Sequence, residues 1–239
     1  VCINDSAPTY CENSLLPPSE WNMKTKQKIE LGKFDVLITN PPFGAKIPIR
    51  VDRILGQYAL GLKWKSNKQR NQWERTNKLQ DKQPPQILFI ERCLQLLKPG
   101  GRMGIVLPDG ILAGDKVGYI ASFIKDETKV LASVDCPIET FSPSVTTKTH
   151  VVFLEKKQKD KDDGPYRIFM AVARKIGHDR KGREISKINE HGEEVIDDDL
   201  PLIVRQYKDL VLSNKKRKSY THLGYLVESR WLENNLVAR

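Results

Sequence analysis

Residues 34–44 read Phe34-Asp35-Val36-Leu37-Ile38-Thr39-Asn40-Pro41-Pro42-Phe43-Gly44. Val36, Leu37 and Ile38 form a short unbroken apolar run, the pattern of a strand covered on both faces. The prolines that follow cannot donate a backbone N–H, so the ladder must end there. Pro41 also drives Asn40 out of helical geometry. The stretch predicts a stiff corner at the carboxyl edge of a sheet, where open α/β folds hold their ligands.

The groups on this corner suit a planar substrate with an exocyclic amine. The Asn40 side-chain oxygen is an acceptor, and the Pro41 carbonyl, held by the Pro42 ring, is a second. Two convergent acceptors match the two donors of an –NH2 group and draw electron density onto its nitrogen. Phe43 can stack on the ring that bears the amine. A base reaches such a pocket only when unpaired or flipped out of a duplex. Asn40, Pro41, Pro42 and Phe43 are therefore the candidate catalytic residues. A Pro-Pro turn that merely ends a strand would look the same in isolation, so the flanking pattern decides.

That pattern resembles a known family. Asn-Pro-Pro-Phe after a Phe-Asp-hydrophobic strand resembles motif IV of the amino-methyltransferases, which methylate exocyclic nitrogens. Leu96-Leu97-Lys98-Pro99-Gly100-Gly101-Arg102-Met103-Gly104-Ile105-Val106-Leu107-Pro108-Asp109-Gly110 looks like the next helix end and strand of that family. Lys148-Thr149-His150-Val151-Val152-Phe153-Leu154-Glu155 looks like its late hairpin strand, and Ile176-Gly177-His178-Asp179-Arg180-Lys181-Gly182 is similar to a segment of type I modification subunits. The ordered set resembles the N6-adenine DNA methyltransferases of type I restriction–modification systems and their fused relatives. The resemblance implies a Rossmann-like α/β fold, mostly parallel with an antiparallel late hairpin. It also implies S-adenosylmethionine as methyl donor, DNA as substrate, a specificity subunit and a restriction (nuclease) subunit as partners, and a cytoplasmic location.

The chain has 239 residues and a formal net charge of +10, which favours a polyanionic partner. Ten of its basic residues lie between Lys46 and Lys82, against three acids. Lys46, Lys63, Trp64, Lys65, Lys68, Arg70 and Trp73 interleave cations with aromatics, as a strand-tracking DNA contact does. A solvated loop whose tryptophans pack on the core is the alternative. Lys215-Lys216-Arg217-Lys218 reads as a solvated linker. There is no run of about 18 apolar residues to span a membrane. Val1–Ser6 has neither the basic start nor the apolar stretch of a signal peptide. Cys2, Cys11, Cys93 and Cys136 show no Cys-x-x-Cys spacing, so free thiols are expected and no metal.

Along the chain, strands are expected around residues 10–15, 32–39, 103–107, 130–135, 150–155 and 166–173. Helices are expected at 86–97, 119–126 and 200–211. Residues 45–83 read as a long polar segment, and 156–164 as a charged hairpin tip. The catalytic domain is expected over 1–212, with a linker and the start of a further, target-recognition region over 213–239. The late hairpin is expected at the sheet's edge.

A methyltransferase also needs a strand leading into a glycine-rich turn that cradles its cofactor. Gly100-Gly101 follows a helix and precedes a strand, which is the wrong context. In the family resembled, that motif lies upstream, so the chain is expected to start near the third strand of the fold and to be inactive alone. Family members often place Asp-Ser-Leu before motif IV. Here Glu12-Asn13-Ser14-Leu15 stands there, and Asn13 is the cofactor-binding candidate. Asp109 either lines the pocket or caps the next segment. His150 reads as packing or surface, and His178-Asp179, between glycines, as a turn. Two other readings compete: a glutamine N5- or rRNA amino-methyltransferase, which usually has Tyr at the Phe43 position, and a non-catalytic DNA-binding remnant.

Overall fold

The computed structural model describes residues 8–43, 47–67, 72–112, 117–158, 164–212 and 223–230. Helix α1 (Met23–Lys28) is capped by Asn22, whose side chain accepts from Thr25 N–H. Strand β1 (Phe34–Thr39) leads into the Asn-Pro-Pro corner. Helix α2 (Asp52–Leu55) and the hairpin of β2 (Leu62–Asn67) and β3 (Gln72–Leu79) follow. Then come α3 (Pro85–Leu96), β4 (Leu97–Pro108), α4 (Asp109–Leu112), α5 (Gly118–Glu127) and β5 (Thr128–Cys136). The remainder is β6 (Thr149–Lys156), β7 (Arg167–Val172), the small hairpin β8 (Ser186–Ile188)–β9 (Glu194–Ile196), α6 (Leu200–Tyr207) and β10 (Gly224–Glu228).

Six strands form one sheet in the order β1-β4-β6-β5-β7-β10. β1, β4, β5 and β7 run one way, and β6 and β10 run against them. The fold is thus α/β with most strands aligned. Of the two antiparallel strands, β10 lies at the sheet's edge, whereas β6 lies inside it. β6 returns from β5 and inserts between β5 and β4, where it is hydrogen-bonded on both sides. Because β5 separates β6 from β7, the segment between those two strands is a crossover and not a hairpin tip.

Helix α3 starts at Pro85, whose missing N–H is harmless in a first turn. It buries Ile87, Leu88, Ile90 and Leu94 against Met103, Ile105, Leu107 and Ile120. Each such side chain contributes about 1.5–3 kcal/mol. Lys156 donates to the Leu94 and Leu97 carbonyls at 2.7 and 2.8 Å and so caps the helix end. Chain then passes from α3 into β4 without a loop. A Cβ at Gly101 would lie 2.9 Å from the Phe34 carbonyl oxygen, so only glycine lets β4 approach β1 there. A second cluster, including Val134, Phe169 and Ala171, packs beneath Ile203 of α6.

Several expectations change in the folded molecule. β1 is an edge strand. Val36 and Ile38 are 63% and 85% exposed, and Leu37 faces the core instead. Residues 8–16 hold a turn and no strand. The long polar segment contains an ordered hairpin, because Trp64 and Trp73 both bury against Tyr119 of α5. β10, within the stretch read as the opening of a further region, pairs antiparallel with β7.

Candidate functional site

β1, β4, β5 and β7 all end at one edge of the sheet, and the candidate site is built there. β1 ends at Thr39, opposite Ile105 of β4. Asn40 then lies exposed, Pro41 buried, Pro42 exposed and Phe43 half-buried. Neither the Asn40 amide nor the Pro41 carbonyl bonds to a described residue, so both acceptors are uncommitted. The Phe43 ring meets Phe141 edge to face, with centroids 5.9 Å apart and planes at 83°. Such a contact is worth about 0.5–1.5 kcal/mol beyond burial.

Phe141 ends a 3-10 turn, Ile138–Phe141, entered directly from β5. It was not visible as a site residue in the sequence, since it lies almost a hundred positions from Phe43 and belongs to no spacing pattern. The signal was its place just beyond a strand's carboxyl end, which needs the topology to read. Together Phe43 and Phe141 form an aromatic wall beside two amine acceptors.

A polar cluster underlies this edge. His150 is fully buried on β6, opposite both Leu107 and Asp135. Its Nε2 lies 2.9 Å from Asp109 Oδ1 and 4.0 Å from Asp135 Oδ1. Lys148 pairs with Asp135 Oδ2 at 2.8 Å. Asp109 thus stands at the site's edge, half exposed and held from below. His150 is buried packing with a polar contact, not surface.

The Ile176–Gly182 tract folds as a turn, with Gly177 and Gly182 at φ +83° and +77°. Asp179 accepts from the backbone N–H groups of Arg183 and Lys181 and from the Arg183 guanidinium. The Arg183 N–H, first among these, holds its carboxyl down to about 2. The turn is fastened to the Phe141 segment by Arg180, 2.9 Å from Glu139.

The other candidates disperse. Lys63 is paired with Asp81 at 2.9 Å, and Lys65 is exposed. The Trp64 ring stacks on Tyr119, and its N–H donates to the Ala59 carbonyl at 3.0 Å. Trp73 is turned onto the same tyrosine. These indoles serve the core, and that use leaves their inner faces closed to a base. Lys46, Lys68 and Arg70 lie outside the described residues, as does Lys215–Lys218. Asn13 is exposed in a turn where its own Oδ1 accepts from Leu15 N–H at 3.2 Å. The chain around it is anchored by buried Arg92, which donates to the Leu16 carbonyl and to Tyr58.

S-adenosylmethionine would need a glycine turn between a strand end and a helix start. Among the described residues the positive-φ glycines are Gly32, Gly100, Gly164, Gly177, Gly182 and Gly192, and none of these occupies that position. The described residues include the Asn-Pro-Pro-Phe corner and no such glycine turn. Among them there is also no cluster of His, Cys, Asp or Glu able to hold a metal, and no helix long and apolar enough to cross a membrane.

Comparison with known proteins agrees with this architecture. The N-6 DNA Methylase family matches residues 7–200. The Type I restriction enzyme EcoEI methylase subunit of Escherichia coli is 29% identical over 129 residues, covering 54% of this chain and 22% of that protein. The methyltransferase subunit of a type I restriction–modification system from Streptococcus thermophilus shares the fold, with a TM-score of 0.52 at 20% identity over 84% of this chain and 36% of its own. A chain from a structural study of type I restriction–modification complex assembly gives 0.54 at 18% identity, over 86% and 37%. The chain therefore spans about a fifth of the curated relative and little more than a third of each structure.

Proposed function

The chain belongs to the N-6 DNA methylase family, and from that premise we propose that it supplies the amine-binding side of an N6-adenine DNA methyltransferase in a restriction–modification system. The observation that carries this is the Asn40-Pro41-Pro42-Phe43 corner at the carboxyl end of β1, with Phe43 set against Phe141. A flipped adenine would rest against the aromatic wall. Its N6 hydrogens would point to Asn40 Oδ1 and the Pro41 carbonyl. As the nitrogen gains a carbon it gains positive charge, and both acceptors then bind it more strongly than in the ground state. Asn40 is not basic, so the surplus proton leaves to water. The donor the family implies is S-adenosylmethionine, which supplies an electrophilic methyl group. DNA is the substrate, and the relatives' systems make a specificity subunit and a nuclease subunit the expected partners.

The test is methyl transfer by the full-length protein to unmodified plasmid DNA. Asn40→Ala should lower the single-turnover rate by ~30-fold to ~1000-fold, the weight of about 2–4 kcal/mol in the transition state. Nucleoside mass spectrometry should find the label on adenine N6. A rate near that of the unmodified protein, or label on cytosine or on protein glutamine, would overturn the reading.

A further inference from the structure

The Asp109–His150–Asp135 cluster beneath the site has features that packing does not explain. Four buried polar atoms on β5 and β6 have no hydrogen-bond partner among the described residues: Ser133 Oγ, Asp135 Oδ1, Thr149 Oγ1 and His150 Nδ1. Unpaired polar atoms destabilise a core, and apolar residues of similar shape would serve packing better. Ser133, Asp135 and His150 share one face of the sheet. His150 sits between the ends of β4 and β5, opposite Leu107 on one side and Asp135 on the other. β4 lies beside β1, which carries the Asn40 corner. β5 runs into the turn that carries Phe141. Asp109 N–H donates to the Lys148 carbonyl at 3.0 Å, and Ala173 N–H to the Asp135 carbonyl at 2.8 Å. These bonds fix the backbones that carry both carboxylates, and the His150 Nε2 faces the two of them, 2.9 Å from Asp109 and 4.0 Å from Asp135.

We propose that His150 is a positioning residue. Bonded to Asp109 just beyond β4 and facing Asp135 near the end of β5, it holds the segments that leave those two strands, and so the placement of Phe141 relative to the Asn40–Phe43 corner. This rests on the adenine-methyltransferase reading above. A shift of about 1 Å in such a pocket can lower a rate by roughly a hundredfold.

The experiment compares His150→Leu and His150→Gln in the full-length protein, with plasmid DNA and labelled S-adenosylmethionine. His150→Leu should lower the single-turnover rate by about 10-fold to 100-fold, with melting temperature and DNA affinity held. His150→Gln keeps an N–H for Asp109 and should recover most of the rate. Should His150→Leu fail to fold, Asp109→Ala, at a half-exposed position, tests the same contact: it should slow transfer and be non-additive with His150→Gln. An unchanged rate in His150→Leu or Asp109→Ala, or a loss that tracks melting temperature and is not rescued by Gln, overturns the proposal. The two readings separate cleanly. Unmodified protein that methylates no DNA defeats the function itself. Normal methylation that Asn40→Ala abolishes and His150→Leu spares defeats only the positioning role.

Discussion

Phe43 is the residue on which the stacking reading turns. Its half-buried ring touches Phe141 at 5.9 Å, so removing it should disturb the core little. Phe43→Ala should weaken productive base capture by about 1–3 kcal/mol, while Phe43→Tyr stays mild. Melting temperature and activity measured on the same variant decide the matter. A destabilised protein with unchanged activity per folded molecule would make Phe43 a core residue. At Asp179 the expected readout is pH. Its carboxyl is held down to about 2, chiefly by the Arg183 N–H. A lowered folded-state value stabilises the turn above the ordinary carboxylate range, near ~3.9, and that contribution is lost as pH falls through about 2. The gap in melting temperature between the unmodified chain and Asp179→Ala should accordingly close between pH 5 and pH 2. A gap that stays constant would show that the charge of Asp179 plays no part.

The β2–β3 hairpin divides its labour by face. Trp64 and Trp73 point to Tyr119, while Lys65 is exposed on the strand between them and solvent. Alternation along a strand makes this division automatic. Trp64→Ala should destabilise by about 3 kcal/mol or more, as large-to-small core changes do, and leave the salt dependence of DNA binding alone. Lys65→Ala should leave stability alone and reduce the slope of log affinity against log salt by roughly 0.9, one phosphate contact. Fluorescence anisotropy across a salt series, paired with thermal melts, checks both. An unchanged slope in Lys65→Ala would remove this hairpin from the DNA contact.

At the scale of the whole molecule, a single sheet brings together groups far apart in sequence at its carboxyl edge. The same sheet leaves Val36 and Ile38 of its first edge strand open. Open apolar strands invite association, and no described residue forms the cofactor's cradle. The 239-residue chain should therefore bind S-adenosylmethionine only weakly. Isothermal titration is the check, and micromolar affinity would reveal a cofactor site that the described residues do not show.

Local chemistry was legible along the chain. An apolar run ending in Asn-Pro-Pro-Phe dictates a strand and a corner, because proline cannot extend a ladder and the residue before it cannot stay helical. Helices α3, α5 and α6 and strands β5, β6 and β7 follow from periodicity in the same way. Neighbourhood was not legible. Whether Val36–Ile38 is covered on one face or two depends on which elements pack over the sheet beside β1. The place of β6 inside the sheet depends on the return of the chain after β5. Phe141 meets Phe43, and His150 lies between Asp109 and Asp135, only because β4, β5 and β6 are adjacent. Backbone preferences act over a few residues and leave their mark in the sequence; strand order is set by the burial of the entire core, to which every element contributes and which no local pattern encodes.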